Sequence, residues 1–370
     1  MKDHKASIVD FLHQSDALME NTHFESRASS LSFSRLAPNA GQCLIGLLTE
    51  SERTRRVVKS RMMADQNLFG VLNVYKPNGV TSRDIVNSVQ RLIRPTKCGH
   101  AGTLDPMATG VLLIGIGPAT RLITILQEGA KTYVAEFVLG QTSDTDDSTG
   151  QIVVQPPPAT IPTAELIEAH LLAMTGIVSQ VPPAFSAVHV DGQRAYDLAR
   201  RGEAVELSAK SVEIHSIRVQ SYNWPRLELE IVCGSGTYIR SIARDLGRML
   251  GCGGLMSRLE RTRIGGFSSG NAIPAAELTL QTIHSKLCPA VSIVQHLPQY
   301  DCSTEDFADL QCGRALSIAD ERLRSDHSLV ADERIALTAA NFSELLAIAV
   351  VTPEQHLQPR TVLAIQRGGS

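Results

Sequence analysis

Between residues 68 and 293 the apolar positions follow two periods in turn. Runs at 68–75, 110–115, 131–138, 211–220 and 226–233 are continuous or alternate with polar residues, which predicts strands. Stretches at 83–93, 163–174, 195–201 and 238–250 place apolar residues three and four apart, which predicts amphipathic helices. The two strands at 211–233 follow one another with no helix between them. That order favours an α+β class with a central, largely antiparallel mixed sheet over a doubly wound parallel one.

A Pro-containing junction at 297–300 marks a change of texture. The short β-prone runs at 335–337, 347–351 and 360–365 predict a small β-rich C-terminal module. Residues 1–66 show no sustained apolar period and mix Ser, Asn and His with basic residues, so a poorly ordered leader is expected there. Met62 and Met63 stand just before the first strand and offer an alternative start.

The 370 residues, 43% hydrophobic and 20% charged, have the composition of a soluble globular protein with room for a sizeable core. No apolar run approaches the roughly 18 residues of a membrane span, and the first thirty residues are too charged for a secretory signal, so a cytoplasmic protein is expected. Seven cysteines without paired spacing argue for reduced thiols rather than a disulfide or zinc framework. The net charge of −3 does not advertise a nucleic-acid binder. A footprint needs only one basic face, however, and two arginine clusters could supply it: Arg194, Arg200 and Arg201, then Arg240, Arg244, Arg248, Arg258, Arg261 and Arg263.

The densest chemical signal is the block Gly-His-Ala-Gly-Thr-Leu-Asp-Pro-Met-Ala-Thr-Gly at 99–110. Gly99, Gly102 and Gly110 allow backbone angles closed to other residues, and Pro106 stiffens the turn after Asp105, so one carboxylate is fixed in a tight loop. Taken alone, such an aspartate is more often a cap than a nucleophile. Three other segments are unusual: Lys-Pro-Asn-Gly-Val-Thr-Ser at 76–82, Lys131-Thr132-Tyr133, and Gly-Thr-Tyr-Ile-Arg-Ser at 236–241. Thr81 or Ser82 is suited to cap the following helix. Metal binding fails on spacing: Asp144, Asp146 and Asp147 do not complete a calcium loop, and no zinc set exists. A solvated hairpin turn is the expectation there. No motif for a nucleotide cofactor or a serine hydrolase occurs in the required context.

These four blocks, in this order, resemble the TruB family of tRNA pseudouridine synthases. The resemblance covers about residues 68–293 and returns more weakly at Leu-Gln-Pro-Arg-Thr-Val-Leu, residues 357–363, like the end of a PUA-like domain. It implies a catalytic domain at 67–293, a PUA-like domain at 294–370, and isomerisation of uridine to pseudouridine at position 55 in the T-loop of tRNA. It further implies no cofactor, no metal, no membrane and a monomer.

By the family's pattern Asp105 is the catalytic carboxylate, Arg240 its ionic partner, and Tyr133 the aromatic that stacks on the target base and moves a proton at the sugar. His100 would enter the place vacated by the flipped nucleotide. Tyr238 and Leu259 would line the uracil pocket with Gly102 and Thr103 nearby, and Lys76 would anchor a loop or touch phosphate. Residues 181–203 resemble an RNA-clamping thumb with Arg194, Arg200, Arg201 and His189 as contacts. Phe185 and His189 stand there for a common tyrosine and lysine, which implies weaker docking. The alternative from another class is a tRNA-binding or tRNA-folding protein that acts on the T-arm independently of catalysis.

Overall fold

β1 (Gly70–Lys76), β2 (Cys98–His100) and β3 (Thr109–Ile116) form one half of a central sheet. β1 and β3 are nearly continuous apolar runs, and only a layer on each face can bury such strands. They pair antiparallel from Gly70 opposite Ile116 to Lys76 opposite Gly110. Helix α1 (Ser82–Ile93) covers one face, packing Ile85, Val86, Val89 and Ile93 on Leu72, Val74, Leu112 and Ile114. Its start is set by Thr81 and Asp84, each side chain accepting from the other's backbone N–H. The computed structural model that shows this describes residues 68–363, apart from 187, 191 and 203–206; the expected leader and the last seven residues lie outside it.

After α2 (Ile123–Glu128), strand β4 (Lys131–Leu139) opens the second half of the sheet. The chain then makes a small hairpin of β5 (Gln141–Ser143) and β6 (Ile152–Val154), helix α3 (Ala164–Ala173) and strand β7 (Gly176–Gln180). A second small hairpin, β8 (His189–Val190) with β9 (Gln193–Arg194), leads into α4 (Ala195–Arg200). The long strands β10 (Lys210–Asn223) and β11 (Arg226–Cys233), helix α5 (Ile239–Met249), and strands β12 (Gly254–Ile264), β13 (Phe267–Ser268) and β14 (Ile273–Pro274) complete the region, followed by α6 (Leu280–Lys286). The sheet runs β14-β1-β3-β12-β4-β11-β10-β7, mostly antiparallel. β11 alternates buried and half-exposed residues, so one face is apolar, and α3 and α5 seal it with Ile167, Leu171, Ile239, Ile242, Ala243 and Leu246.

The two halves meet at a short parallel seam between β3 and β12, where Thr109 lies opposite Glu260 and Gly110 opposite Arg261. A side chain at Gly110 would stand 2.2 Å from the Arg261 carbonyl oxygen, and its φ is +102°, so only glycine lets the strands approach. β12 was not anticipated from sequence. Its charges at Arg258, Glu260, Arg261 and Arg263 interrupt the alternation, and its pairing with β4 shifts register twice.

A second, six-stranded sheet is built from β15 (Gln299–Asp301), β16 (Leu316–Ser317), β17 (Leu323–Arg324), β18 (Arg334–Ala339), β19 (Glu344–Val351) and β20 (His356–Val362), with helix α7 (Asp306–Gln311) against it. The last strand thus lies earlier than the expected 360–365. One face has its own core around Tyr300, Leu310, Leu337 and Leu357. From the same sheet Ala336, Leu345 and Ile348, with Leu363, join Val71, Leu113, Ile293 and Val294 of the first region in a single apolar cluster. Arg334 bridges to Glu128 at 2.6 Å, and Arg121 donates to the Val362 carbonyl. The architecture is α+β with a central mixed sheet and a β-rich C-terminal region.

Candidate active site

The loop between β2 and β3 is held from several sides before any charge is considered. Ser82 at the start of α1 accepts from the Leu104 N–H at 2.9 Å and donates to the Leu104 carbonyl at 3.2 Å. Gly79 N–H donates to the Pro106 carbonyl at 2.8 Å, and Ala108 N–H closes a turn on the Asp105 carbonyl at 3.0 Å. Lys76 is fully buried and its ammonium donates to the carbonyls of Pro77, Val80 and Pro106. Its ammonium is thus engaged with the backbone of the loops on either side. Burial lowers its pKa to about 8, with Asp105 pulling back the other way.

Asp105 leaves this loop with its carboxylate 37% exposed, facing the N-terminal turn of α5. The Arg240 Nε lies 3.0 Å from one carboxylate oxygen and its Nη2 donates to the other at 3.4 Å, a two-point pairing that only a guanidinium can make. The rest of the Arg240 fork is also committed. Nη1 donates to the Thr145 carbonyl at 3.0 Å and lies 3.6 Å from Asp147, and Nη2 donates to the Phe185 carbonyl at 3.2 Å. Burial pushes the Asp105 carboxyl above its ordinary range, against the pull of Arg240.

Asp147 corrects the sequence reading. The turn at 144–150 is a hairpin end with Asp144, Ser148 and Thr149 exposed, but it is not solvated throughout: Asp147 is 4% exposed and points at Arg240, while Asp146 pairs with Arg244 at 2.9 Å. Asp147 also organises its own turn, accepting from Thr145, from the Thr149 N–H and from the Thr149 hydroxyl. The second arginine cluster needs the same correction. Arg240 and Arg261 are buried and Arg244 is spent on Asp146 and Asp245, so only Arg248, Arg258 and Arg263 of the six are exposed, with Arg258 paired to Glu228.

Arg261, 2% exposed, holds the other side of the loop. Its Nε donates to the Val111 carbonyl at 2.8 Å and its Nη2 to the Gly102 carbonyl at 3.2 Å. It lies directly opposite Tyr133 in the pairing of β12 with β4. Burial raises the Tyr133 pKa above its ordinary value. Tyr133, Leu104 and Leu259 belong to one apolar cluster, and Thr109 donates to the Leu259 carbonyl. Gly102 adopts φ +96° and Thr103 is exposed beside it. His100, at the end of β2, has a buried Nδ1 without a partner, and burial together with Arg83 and Arg261 lowers its pKa, which keeps the ring neutral at physiological pH.

Tyr238 is the half-buried N-cap residue of α5. The segment after β7 carries the Phe185 carbonyl to Arg240 and then enters the β8–β9 hairpin, where His189 pairs with Arg194 along the backbone; the side chains of these two lie outside the described residues. Arg200 and Arg201 are exposed beyond it, and Arg201 donates to Gln193 at 2.8 Å. Among the described residues no group of three or more His, Cys, Asp or Glu is placed to hold a metal ion, and no helix is long and apolar enough to cross a membrane.

Comparison with known proteins follows the same geometry. Residues 90–239 match the family model of the N-terminal domain of TruB family pseudouridylate synthases, and residues 240–290 match that of the tRNA pseudouridylate synthase B C-terminal domain. The tRNA pseudouridine synthase B of Microcystis aeruginosa is 40% identical over 299 residues, covering 80% of this chain and 99% of the relative. That of Thermobifida fusca is 45% identical over 231 residues, 60% of this chain and 78% of the relative. Among solved structures, a chain of an H/ACA ribonucleoprotein bound to a substrate RNA containing 2'-deoxyuridine superposes with a TM-score of 0.61 at 23% identity, covering 80% of this chain and 86% of that one. A Cbf5-Nop10-Gar1 complex gives 0.59 at 23% identity, with 81% and 84% covered; at this identity the likeness is one of fold.

Proposed function

The chain belongs to the TruB family of pseudouridine synthases, and from that premise we propose that it isomerises a T-loop uridine of tRNA, at the family's position 55, with Asp105 as the reacting carboxylate. That it makes pseudouridine in tRNA follows from the family itself. The observation that carries the finer reading is the two-point Arg240–Asp105 pair, set in a loop fixed on every side yet leaving the carboxylate 37% exposed.

Isomerisation breaks the bond from the ribose anomeric carbon to uracil N1 and forms one to C5. The C5 proton leaves and N1 gains one, so nothing is oxidised and no group is consumed. Asp105 must be ionised to act, and Arg240 supports that form against burial. Tyr133, opposite Arg261 in the sheet, presents a ring on which the detached uracil stacks, with Leu259 and Tyr238 closing the pocket. The neutral His100 ring fills the gap left by the flipped nucleotide and offsets part of the unstacking cost. Residues 67–293 form the catalytic domain in this reading, and 294–370 a PUA-like domain, in a monomer.

The test is tritium release from T-arm RNA labelled at uracil C5, comparing wild type with Asp105→Asn. The variant is expected to bind the RNA with unchanged affinity and to release no tritium above background. Turnover by Asp105→Asn at the wild-type rate would remove Asp105 from the chemistry. Loss of binding along with turnover would favour a protein whose loop serves tRNA docking alone.

A further inference from the structure

The turn that delivers Arg240 is unusual in how it is held. Residues 234–238 link β11 to α5 through Gly236, whose φ is +81° and whose surroundings are open. Tyr238 occupies the N-cap position, but its own side chain makes no capping bond. The bonds come from elsewhere. The Gln180 carboxamide accepts from the Tyr238 N–H at 2.8 Å and donates to the Tyr238 carbonyl at 3.1 Å. One side chain thus bonds both backbone groups of a single residue, as a neighbouring strand would, in addition to the Ser241 and Ile242 N–H groups that the Tyr238 carbonyl accepts within the helix. Gln180 is 4% exposed and lies at the end of β7, the edge strand of the sheet.

The contact continues along the chain. Directly after Gln180, the Val181 carbonyl accepts from Ser241 and from Arg244, each at 2.8 Å, and the Phe185 carbonyl accepts from Arg240. Residues 180–185 therefore lie along the first turns of α5, and the same segment leads into the β8–β9 hairpin. At its other end the turn is fixed by Lys131, which donates to the Ser235 hydroxyl at 2.8 Å and to the Gln127 carbonyl. The Gln180 bonds grip the residue two positions before Arg240, at the point where the turn becomes helix.

We propose that Gln180 is a positioning residue for the isomerisation: by bonding both backbone groups of Tyr238 it sets the angle at which α5 aims Arg240 at Asp105. It touches no reacting atom in this role, and the inference rests on the assignment of Asp105 and Arg240 as the working pair. Its carboxamide oxygen takes the place of water at the Tyr238 N–H, at a helix start where the first N–H groups lack intrahelical partners, and its NH2 adds a third donor to the Tyr238 carbonyl. Without it the Gly236 turn gains freedom, and a misplacement of about 1 Å at a reacting group costs on the order of 100-fold in rate.

Two variants test this. Gln180→Met keeps the length of the side chain and loses both bonds. Gln180→Glu keeps an acceptor for the Tyr238 N–H. Single-turnover tritium release with enzyme in excess, measured per folded molecule, is read beside the Kd for T-arm RNA, with circular dichroism giving the folded fraction. Gln180→Met is expected to lower the rate about 10–100-fold with Kd within threefold of wild type, and Gln180→Glu to fall between the two. In an Arg240→Met background the Gln180→Met change is expected to cost less than threefold further, because it acts through Arg240. A normal rate with weakened Kd, a rate loss explained by the folded fraction, or full multiplication of the two costs would each overturn the proposal. Asp105→Asn run in parallel separates the levels: if it turns over, the reading of the site fails, and if it is inactive while Gln180→Met is normal, only this inference fails.

Discussion

Gly110→Ala sets the clearest test of the seam between the two halves of the sheet. Two costs add at this position. A non-glycine residue at φ +102° carries backbone strain of about 1–3 kcal/mol. The new methyl would also stand 2.2 Å from the Arg261 carbonyl oxygen and 2.9 Å from its carbon and nitrogen, all backbone atoms that no rotamer change can move. Overpacking of this kind adds about 1–3 kcal/mol, so the sum is about 2–6 kcal/mol. Gly79→Ala is the matched control: its φ is +86°, but nothing lies within 4 Å of the added atom, so only the strain applies. Thermal unfolding of both variants by circular dichroism is expected to place Gly110→Ala below Gly79→Ala by roughly 3–10 °C. Because Arg261 carries the seam through its backbone and the loop through its guanidinium, single-turnover rate is expected to fall further in Gly110→Ala than in the control. Equal melting points would refute the claim that contact across the seam, rather than glycine's φ, selects this residue.

Arg240→Met is expected to cost about 100- to 1000-fold in single-turnover rate. It also moves the acidic limb of the pH–rate profile to higher pH, because burial already raises the Asp105 pKa and the variant removes the charge that opposed it; a limb that stays in place would contradict the pairing. Lys76→Met tests the anchor through linkage. Burial sets the folded Lys76 at about 8, below its unfolded value near 10.5, so between those pH values the unfolded chain binds more protons and wild-type stability rises with pH. Below pH 8 the full desolvation cost is present. Denaturant unfolding at pH 7 and pH 10 is expected to show wild type gaining on Lys76→Met, and a constant difference would argue against a buried ammonium.

Much of the site was legible because its residues advertise themselves locally. Asp105 stands between glycines and a proline, and Tyr133 and Arg240 stand in short blocks of unusual composition. Asp147 and Arg261 were not legible, for a shared reason. Each sits in a run of like residues, Asp144, Asp146 and Asp147 in one case and Arg258, Arg261 and Arg263 in the other, and spacing alone says nothing of which member turns inward. The selection is tertiary: α5 brings a guanidinium to the hairpin end, and the seam turns the Arg261 side chain under the loop. β12 stayed hidden for the same cause, since a strand that buries an arginine breaks the alternation by which strands are recognised. Gln180 had no signal at all, because its partner is a backbone.

The apolar cluster shared by the two sheets has a consequence for how this chain can be cut or rebuilt. A region that hangs from a linker can be removed and leave an intact neighbour, whereas Ala336, Leu345, Ile348 and Leu363 are one wall of an interior whose opposite wall includes Val71 and Leu113. Truncation before Gln299 would open that interior to water instead of trimming an accessory. The two regions are therefore expected to unfold as partners, and the C-terminal sheet bears directly on Val71 of β1 and Leu113 of β3, the strand that follows the Asp105 loop.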